Sequence, residues 1–408
     1  MKNRFIKNFS SLSIINIATA GISLLWIPLF INSAGVEGYG EYVLSATIAS
    51  ILSGLIYINC WQWLLIRKTE KKENALITAY LSDTIYSILM VIAAFITWNW
   101  GEAIYEELNV KLACSCILGI ALSQQSLYIA HFREKNKFSP PAFIALLAEC
   151  VRAGLIITAC ISSNGSEETL SLISKLLWIF GAPHFLMNMI CFLSTKERLK
   201  IPPITILLDF FQYNFYLHTK NLSDLFINHF DKIIINYHMG LTGLATYDLI
   251  KKIGFAISKL LSPAQPLIFK ELVDAEHNKQ KIISIKNKYT PIFMGASIFT
   301  YFMLELGIYI SSFFYDYEAI TFIQKNSTEI RLYIACQLLG FSFCFYHLAL
   351  GAIGETKIES KVTWAANLIF LFLFYLLSQI SLAAAIFAII IQYASLILIK
   401  ARLLKWVL

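Results

Sequence analysis

The fold is decided by the stretch Gly35-Val36-Glu37-Gly38-Tyr39-Gly40-Glu41-Tyr42, because its pattern returns at Gly240-Leu241-Thr242-Gly243-Leu244-Ala245-Thr246-Tyr247. Both copies read Gly-x-x-Gly-x-small-x-Tyr and lie between two apolar runs of helix length. The second copy begins about half a chain length after the first, which indicates two homologous halves. Because glycine adopts backbone angles that other residues avoid, we predict a hinge in each copy. The predicted hinge residues are Gly35, Gly38 and Gly40 in the first copy and Gly240 and Gly243 in the second.

The composition is that of a membrane protein. Hydrophobic residues make up 57% of the 408 residues and charged residues 14%, against about 45–50% and about 25% in soluble domains. The length allows about a dozen spans of ~20 residues. Apolar runs and polar breaks predict twelve transmembrane helices, at 12–33, 42–64, 75–99, 110–132, 141–162, 170–194, 212–237, 243–268, 289–312, 331–353, 362–378 and 381–399.

The lysines and arginines fix the orientation of these spans. With twelve spans, most loop cations fall in cytoplasmic segments, including Lys400, Arg402 and Lys405 at the carboxyl end. The outside segments keep only Lys111, Lys325 and Arg331. The positive-inside rule then places both termini in the cytoplasm. We predict an all-α polytopic membrane protein with two six-helix bundles, residues 1–203 and 204–408, that meet at Pro202-Pro203.

Topology also explains the net charge of +7, so no nucleic-acid partner is expected. The chain has no Gly-x-x-x-x-Gly-Lys-[Ser/Thr] loop, no His-Glu-x-x-His and no Gly-x-Ser-x-Gly, and these absences argue against the enzyme classes that use such motifs. Its eight cysteines lie in or beside apolar runs without a ligand cluster. We therefore predict a transporter, not an enzyme, with no metal and no cofactor.

Several charges lie inside the predicted spans. A charge at bilayer depth costs at least about 2.5–3.5 kcal/mol, so such residues normally face a cavity or a partner. Arg152 lies near the middle of its span and, with Lys220, Lys251 and Lys259, could line a positive cavity that suits an anionic cargo. Acidic candidates for ion coupling are Asp224, Asp231, Asp248 and Glu149.

Two simpler interpretations stay open for these charges. Lys220 with Asp224, and Asp248 with Lys252, are four residues apart, so each pair can share a helix face and stabilise packing alone. Asp83, Asp231 and others near span ends could instead reach the headgroup region.

Three further stretches support a family resemblance. Pro28-Leu29-Phe30-Ile31 leads into the first glycine copy, Asn221 to Asn228 and Asp231-Lys232 precede the second, and Leu261-Ser262-Pro263-Ala264-Gln265-Pro266-Leu267 follows it. This pattern resembles polysaccharide exporters and O-antigen flippases of the Wzx type, which belong to one superfamily with multidrug exporters.

The resemblance implies two bundles that alternate between inward-open and outward-open states. It also implies a bacterial inner-membrane flippase that moves an oligosaccharide on undecaprenyl pyrophosphate from the cytoplasmic to the periplasmic leaflet for lipopolysaccharide synthesis. The cationic cavity of such flippases corresponds here to Arg152, Lys220, Lys251, Lys252 and Lys259.

We accordingly predict transport driven by a proton or sodium gradient. Membrane lipids, an O-antigen polymerase and a chain-length regulator are the expected partners. Two alternatives stay open. A multidrug or cation antiporter of the same fold would need an uncovered carboxylate, and Glu149 or Asp83 could supply it. A membrane-embedded polymerase or glycosyltransferase would need a large periplasmic loop, yet the longest outside loop, about 313–330, is short.

Overall fold

A computed structural model describes residues 2–58, 63–64, 75–105, 107–135, 137, 139–163, 165–194, 202–261, 264–273, 275, 278–311, 322, 324–353 and 355–407. Every regular element in these ranges is helical, which confirms the predicted all-α class. The chain forms two compact units, Met1–Ala245 and Thr246–Leu408. The division into bundles at residues 203 and 204 stays a prediction.

The first unit consists of a long helical amino-terminal segment followed by shorter helices. Its elements are α1 (Lys2–Ile56), α2 (Ala75–Ile104), α3 (Val110–Ser123), α4 (Leu127–Glu134), α5 (Ser139–Ser162), α6 (Ser166–Leu176), a 3₁₀ turn (Leu177–Gly181), α7 (Ala182–Ser194), α8 (Ile204–Leu225), a π-helical segment (Phe226–Phe230) and the first half of α9 (Asp231–Leu261).

The second unit begins within α9. Its other elements are α10 (Ala264–Val273), α11 (Lys279–Ser311), α12 (Ser327–Ser342), α13 (Cys344–Ala352), α14 (Thr356–Ser378) and α15 (Leu382–Val407). A buried apolar cluster joins α10, α11, α12, α13 and α15, with Phe345, Ile282 and Leu350 at 0% exposure. This cluster is a hydrophobic core within the second unit.

The described helices confirm a protein that crosses the membrane many times. Seven of them are long and apolar enough to span a bilayer, or eight if α12 and α13, bent by 46°, form one broken span. The first, Leu12–Ile56, has 45 residues, so it is about twice as long as the ~30 Å hydrocarbon core is thick. It therefore has the length of two spans. The predicted span 12–33 lies within it, whereas the predicted span 42–64 continues beyond its end at Ile56.

Both glycine copies begin with the same break in the backbone. Gly35 has φ 77° and ψ 170°, and Gly240 has φ 66° and ψ −172°, a region that is essentially restricted to glycine and costs other residues about 1–3 kcal/mol. Each break lies inside an otherwise continuous helical segment. The predicted turn is thus narrower than the motif, because Gly38, Gly40 and Gly243 are already helical. Their role as hinge residues stays a prediction.

The aromatic residues of the first copy hold the two parts of α1 together across Gly35. Trp26 and Phe30 precede the break, Tyr39 and Tyr42 follow it, and all six pairs of ring centroids are 5.5–6.2 Å apart. All four side chains are at most 5% exposed. The motif therefore combines a flexible backbone point with an aromatic contact that fixes the fold-back.

Candidate functional site

A cavity of 480 Å³ lies within the first unit. The second part of α1, α3, α5, the 3₁₀ turn, α8 and the π-helical segment form its wall. Polar side chains supply much of the lining, namely Tyr42, Ser50, Ser53, Tyr57, Ser123, Gln124, Arg152 and His229. Of the described residues that line it, Arg152 is the one lysine or arginine, and no aspartate or glutamate is among them.

The hydroxyl groups of this wall were not among the predicted site residues. Ser50 and Ser53 are three positions apart on α1 and share a helix face, and Tyr57, which directly follows α1, donates its N–H to the carbonyl of Ser53 at 2.7 Å and continues this turn. The Ser53 hydroxyl and the Tyr86 hydroxyl lie 2.8 Å apart, and Ser50 donates to the carbonyl of Ala46 at 2.7 Å. A stripe of hydroxyl residues at helical spacing in the second span was the signal that could have revealed this face.

Arg152 faces the cavity from the middle of α5. Its Nη2 lies 2.6 Å from Oε2 of Glu149, one turn earlier on the same helix. The Arg152 side chain is 32% exposed, whereas that of Glu149 is 7% exposed. The buried atoms Nε of Arg152 and Oε1 of Glu149 have no hydrogen-bond partner within the described structure. The guanidinium is therefore anchored on one side and keeps hydrogen-bonding capacity on the other.

An aromatic ring also contacts the guanidinium of Arg152. Its Cζ lies 4.8 Å from the ring centroid of Phe180, a distance at which a guanidinium is attracted to an aromatic face. Phe180 belongs to the 3₁₀ turn, and the backbone N–H of Trp178 in that turn donates to Ser115 Oγ at 3.0 Å. The turn is thereby attached to α3 and holds the ring against the arginine.

Two of the predicted cations, Lys251 and Lys252, do not line this cavity. Lys251 belongs to the second unit, is 2% exposed, and places its ammonium 5.4 Å from the Tyr247 ring and 5.8 Å from the Phe255 ring. Lys252 pairs with Asp248 at 3.3 Å. Lys220 and Lys259 lie on α8 and α9, and their side chains lie outside the part that the structure describes.

The predicted ion-coupling carboxylates have different surroundings. Glu149 is paired with Arg152 and Asp248 with Lys252, and both carboxylates are buried. Asp231, at 0% exposure, accepts the N–H of Lys232 at 2.8 Å where α9 begins. Asp224 is half-buried near the end of α8.

The position of Asp83 contradicts the alternative interpretation that its side chain reaches the headgroup region. The predicted fourth span, 110–132, is broken between α3 and α4 at Gln124, Gln125 and Ser126. Asp83 is 1% exposed and accepts the N–H of Ser126 at 2.8 Å, so it caps this break. The polar run Ser123-Gln124-Gln125-Ser126 inside an apolar span was the sequence signal.

A second buried cluster contains Lys400. The last predicted span ends at residue 399, but α15 continues to Val407 and Lys400 is buried at 3% exposure. Its cytoplasmic side stays a prediction. Its ammonium lies 2.5 Å from Nδ1 of His347 and 3.5 Å from Oε1 of Glu359. Glu359 is 2% exposed. Lys400 therefore belongs to the packing of the second unit.

Comparison with known proteins identifies the group to which this architecture is similar. A family model described as polysaccharide biosynthesis protein matches residues 5–268, well over half of the chain. No curated protein sequence matches the chain.

Solved structures share the fold at low sequence identity. An inward-facing multidrug resistance MATE transporter of the MOP superfamily has a TM-score of 0.65 at 14% identity, covering 95% of this chain and 92% of its own. A MOP transporter from Pyrococcus furiosus, titled for the reverse polarity of its binding pocket, has a TM-score of 0.62 at 16% identity, covering 96% and 93%. An outward-facing MATE transporter has a TM-score of 0.60 at 11% identity, covering 96% and 93%.

Proposed function

The chain belongs to the polysaccharide biosynthesis protein family, and from this premise we propose that it is a flippase for an anionic lipid-linked oligosaccharide. The cargo is an O-antigen unit on undecaprenyl pyrophosphate, moved from the cytoplasmic to the periplasmic leaflet of a bacterial inner membrane. The observation that carries the proposal is Arg152 in the wall of the hydroxyl-rich cavity.

The surroundings of Arg152 are suited to binding a phosphate group. A guanidinium offers five N–H donors in a planar fork, and pyrophosphate oxygens accept such pairs well. Glu149 occupies Nη2, Phe180 covers one face, and the Tyr42 hydroxyl, which also lines the cavity, hydrogen-bonds the guanidinium. An anion in the cavity would bind the guanidinium together with the Tyr42 hydroxyl, without first breaking the Glu149 pair.

The rest of the wall suits sugar hydroxyls. Serine and tyrosine hydroxyls both donate and accept hydrogen bonds, and Ser50 and Ser53 of α1, with Tyr57 directly after it, contribute three of them to the lining. The volume of 480 Å³ lies within the range of about 300–1,000 Å³ usual for small-ligand pockets. The cavity thus supports binding of a phosphosugar headgroup rather than of the lipid chain.

The wider cycle is part of the same proposal. The two units would alternate access to the two membrane faces, driven by a proton or sodium gradient. Of the predicted lysines, Lys220 and Lys259 are proposed as further cargo contacts, whereas Lys251 and Lys252 already have partners within the second unit. An O-antigen polymerase and a chain-length regulator would use the exported units.

A drug antiporter is the second candidate, because solved structures of this fold include multidrug resistance transporters. A cationic drug would need an uncovered carboxylate in the cavity. Glu149 does not line the cavity and is held by Arg152, and an arginine in the cavity wall repels cations. Pocket charge therefore favours the anionic cargo. The Pyrococcus furiosus transporter, titled for its reversed pocket polarity, supports the view that pocket charge varies within the fold.

The first prediction concerns Arg152. We expect R152A to lower O-antigen display about tenfold or more in cells without their own flippase, since a hydrogen bond to a charged group contributes about 1.5–3 kcal/mol. R152K should display an intermediate amount of O-antigen, because lysine keeps the positive charge but lacks the planar, forked N–H donors of arginine. Native mass spectrometry of the purified protein with undecaprenyl pyrophosphate should show the same order of binding.

Controls separate binding from folding. R152A leaves Glu149 buried without its cation, so the double variant E149Q/R152Q, which removes both charges, should fold and still fail to display O-antigen. R331A is the matched control, because Arg331 also pairs with a glutamate, Glu305, at 2.9 Å and lies outside the cavity. Normal display by R152A and E149Q/R152Q would overturn the proposal, and drug efflux lost in these variants would favour the antiporter.

A further inference from the structure

A buried carboxylate holds the break between α3 and α4. Oδ2 of Asp83, on α2, accepts the backbone N–H of Ser126 at 2.8 Å and that of Leu127 at 3.4 Å. Nδ2 of Asn188, on α7, lies 3.5 Å from the same oxygen and donates to Oε1 of Gln125 at 2.7 Å. Two helices, α2 and α7, and the broken span therefore meet at this one oxygen.

The other carboxylate oxygen is not used by the protein. Oδ1 of Asp83 is buried and has no hydrogen-bond partner in the described structure. No lysine, arginine or histidine in that part of the chain forms an ion pair with Asp83. The positive end of α4 offsets only part of a full negative charge, and an unpaired buried charge is costly. An oxygen of this kind is a place where a proton can bind.

The groups around Asp83 that can carry charge are few. Tyr86 lies one turn further along α2 and shares a hydrogen bond with Ser53 of α1. From α7, His184 faces the Tyr128 hydroxyl at 2.7 Å. From α8, Asp209 accepts the indole N–H of Trp63 at 3.0 Å. Tyr57, directly after α1, is in contact with Ser126. None of these groups supplies a fixed positive charge.

We propose that Asp83 is a proton-binding site beneath the cavity, in which Oδ1 takes up the proton while Oδ2 holds the broken span. A proton needs only one available oxygen. A sodium ion needs several oxygen ligands, and here Oδ2 of Asp83 and Oε1 of Gln125 are already occupied by N–H donors. The geometry therefore favours a proton over a metal cation.

The same contacts connect Asp83 to the cavity. The hydroxyl of Ser126, whose N–H binds Asp83, lies 2.5 Å from the hydroxyl of Tyr57. Tyr57 and Gln124, the latter at the break itself, line the cavity. Protonation weakens the two charge-assisted bonds from Ser126 and Leu127, and this change loosens the wall that Tyr57 and Gln124 form. Proton uptake is in this way coupled to the shape of the cavity.

Proton binding by Asp83 does not depend on the proposed function. Only the role of that proton in transport rests on it. The test of proton binding therefore needs no cargo. The full-length protein is purified into lipid nanodiscs, and infrared difference spectra are recorded between about pH 5 and about pH 9. We expect a protonated-carboxyl band that disappears as pH rises in the wild type and is missing in D83N.

Hydrogen exchange gives the second readout. Asparagine keeps an oxygen that accepts the Ser126 N–H but never ionises, so D83N imitates the protonated state. The Ser126 and Leu127 amides, corrected for intrinsic rates, should exchange about tenfold faster in acid than in alkali in the wild type, for a bond worth about 1.4 kcal/mol. In D83N they should exchange at the faster rate at every pH.

D209N is the matched control, since Asp209 is also a carboxylate of the first unit that accepts a side-chain N–H, and it should behave as the wild type. The proposal is overturned if D83N keeps the carboxyl band, or if exchange at Ser126 and Leu127 in the wild type does not depend on pH. It is also overturned if sodium chloride, compared with choline chloride at one pH, protects these amides, because the site would then bind the metal ion. If the infrared and hydrogen-exchange results are as expected, the effect of D83N on O-antigen display concerns only the transport role of the proton and not its binding.

Discussion

The two units of the chain treat buried charge in opposite ways. In the first unit, Arg152 has one carboxylate partner and an Nε without one, beside a polar cavity of 480 Å³. In the second unit, Lys400 lies within 3.5 Å of both Glu359 and His347. A cavity of 150 Å³ in that unit has Gln392 and Ser395 as its polar lining and no charged side chain among the described residues.

This difference shows that a charge in a span does not by itself mark a binding site. The sequence gives Arg152 and Lys251 the same appearance, since each is a cation within an apolar run. The structure places Arg152 at the edge of an open space and Lys251 between the rings of Tyr247 and Phe255 at 2% exposure. What distinguishes a candidate site is unused hydrogen-bonding capacity next to a cavity.

The largest effect on stability should come from the second unit's cluster. Removing one member of a buried ion pair costs about 3–5 kcal/mol, and K400A leaves the Glu359 carboxylate buried without its ammonium. We expect about 3 kcal/mol of destabilisation, at the lower end because half-exposed His347 also lies 3.4 Å from Glu359. Thermal unfolding of the purified protein, followed by tryptophan fluorescence, measures this change.

Lys405 provides the matched control for that prediction. It lies on the same helix, α15, and its side chain is exposed, so K405A should unfold at nearly the wild-type temperature. E359Q/K400M should recover much of the loss, because neither charge is then left alone. Equal unfolding temperatures for K400A and K405A would show that the cluster does not hold the second unit together.

A smaller effect should separate the two glycine copies. A Cβ on Gly40 would lie 2.4 Å from the backbone carbonyl oxygen of Leu241, so the first copy packs directly on the second. The corresponding position of the second copy is Ala245, which is already buried at 0% exposure. We expect G40A to destabilise by about 1–3 kcal/mol, the usual cost of overpacking.

Two other glycines make this prediction specific. A Cβ on Gly35 meets no atom within 4 Å, so G35A should cost about 1–3 kcal/mol through its positive-φ backbone alone. G21A also meets no atom but lies in regular helix, so it should be neutral or slightly stabilising. If denaturation midpoints place G40A level with G21A, the close contact between the copies is not important for stability.

The positions of the helices could be predicted from the sequence because apolar runs of span length leave few alternatives. The predicted spans at 75–99 and 141–162 fall on α2 and α5. The break between α3 and α4 was not predicted, because four polar residues are averaged into the apolar run that surrounds them. The partner that stabilises the break, Asp83, is 43 residues away from Ser126, and no local pattern reveals such a contact.

The candidate site could be predicted only in part. Arg152 could be identified because a cation at mid-span needs a partner or a cavity. The buried position of Lys400 could not, since it follows the last predicted span, and its partner Glu359 is 41 residues earlier in the chain. Whether a lysine faces a cavity, a carboxylate or an aromatic ring depends on packing between helices, which spacing along one helix does not determine.

The smallest effect should come from Lys252. Its side chain is 26% exposed and pairs with Asp248 four residues earlier on α9, and a partly exposed pair of this kind contributes about 0.5 kcal/mol. We expect K252A to change the unfolding temperature little and to leave O-antigen display within about twofold of the wild type, because this lysine already has a partner. K252R, which keeps the pair, is the control. If K252A instead abolished display at normal stability while K252R did not, Lys252 would contact the cargo. A charge that is paired in this structure would then leave its partner to bind cargo, and the second unit would contribute to the binding site as the first does.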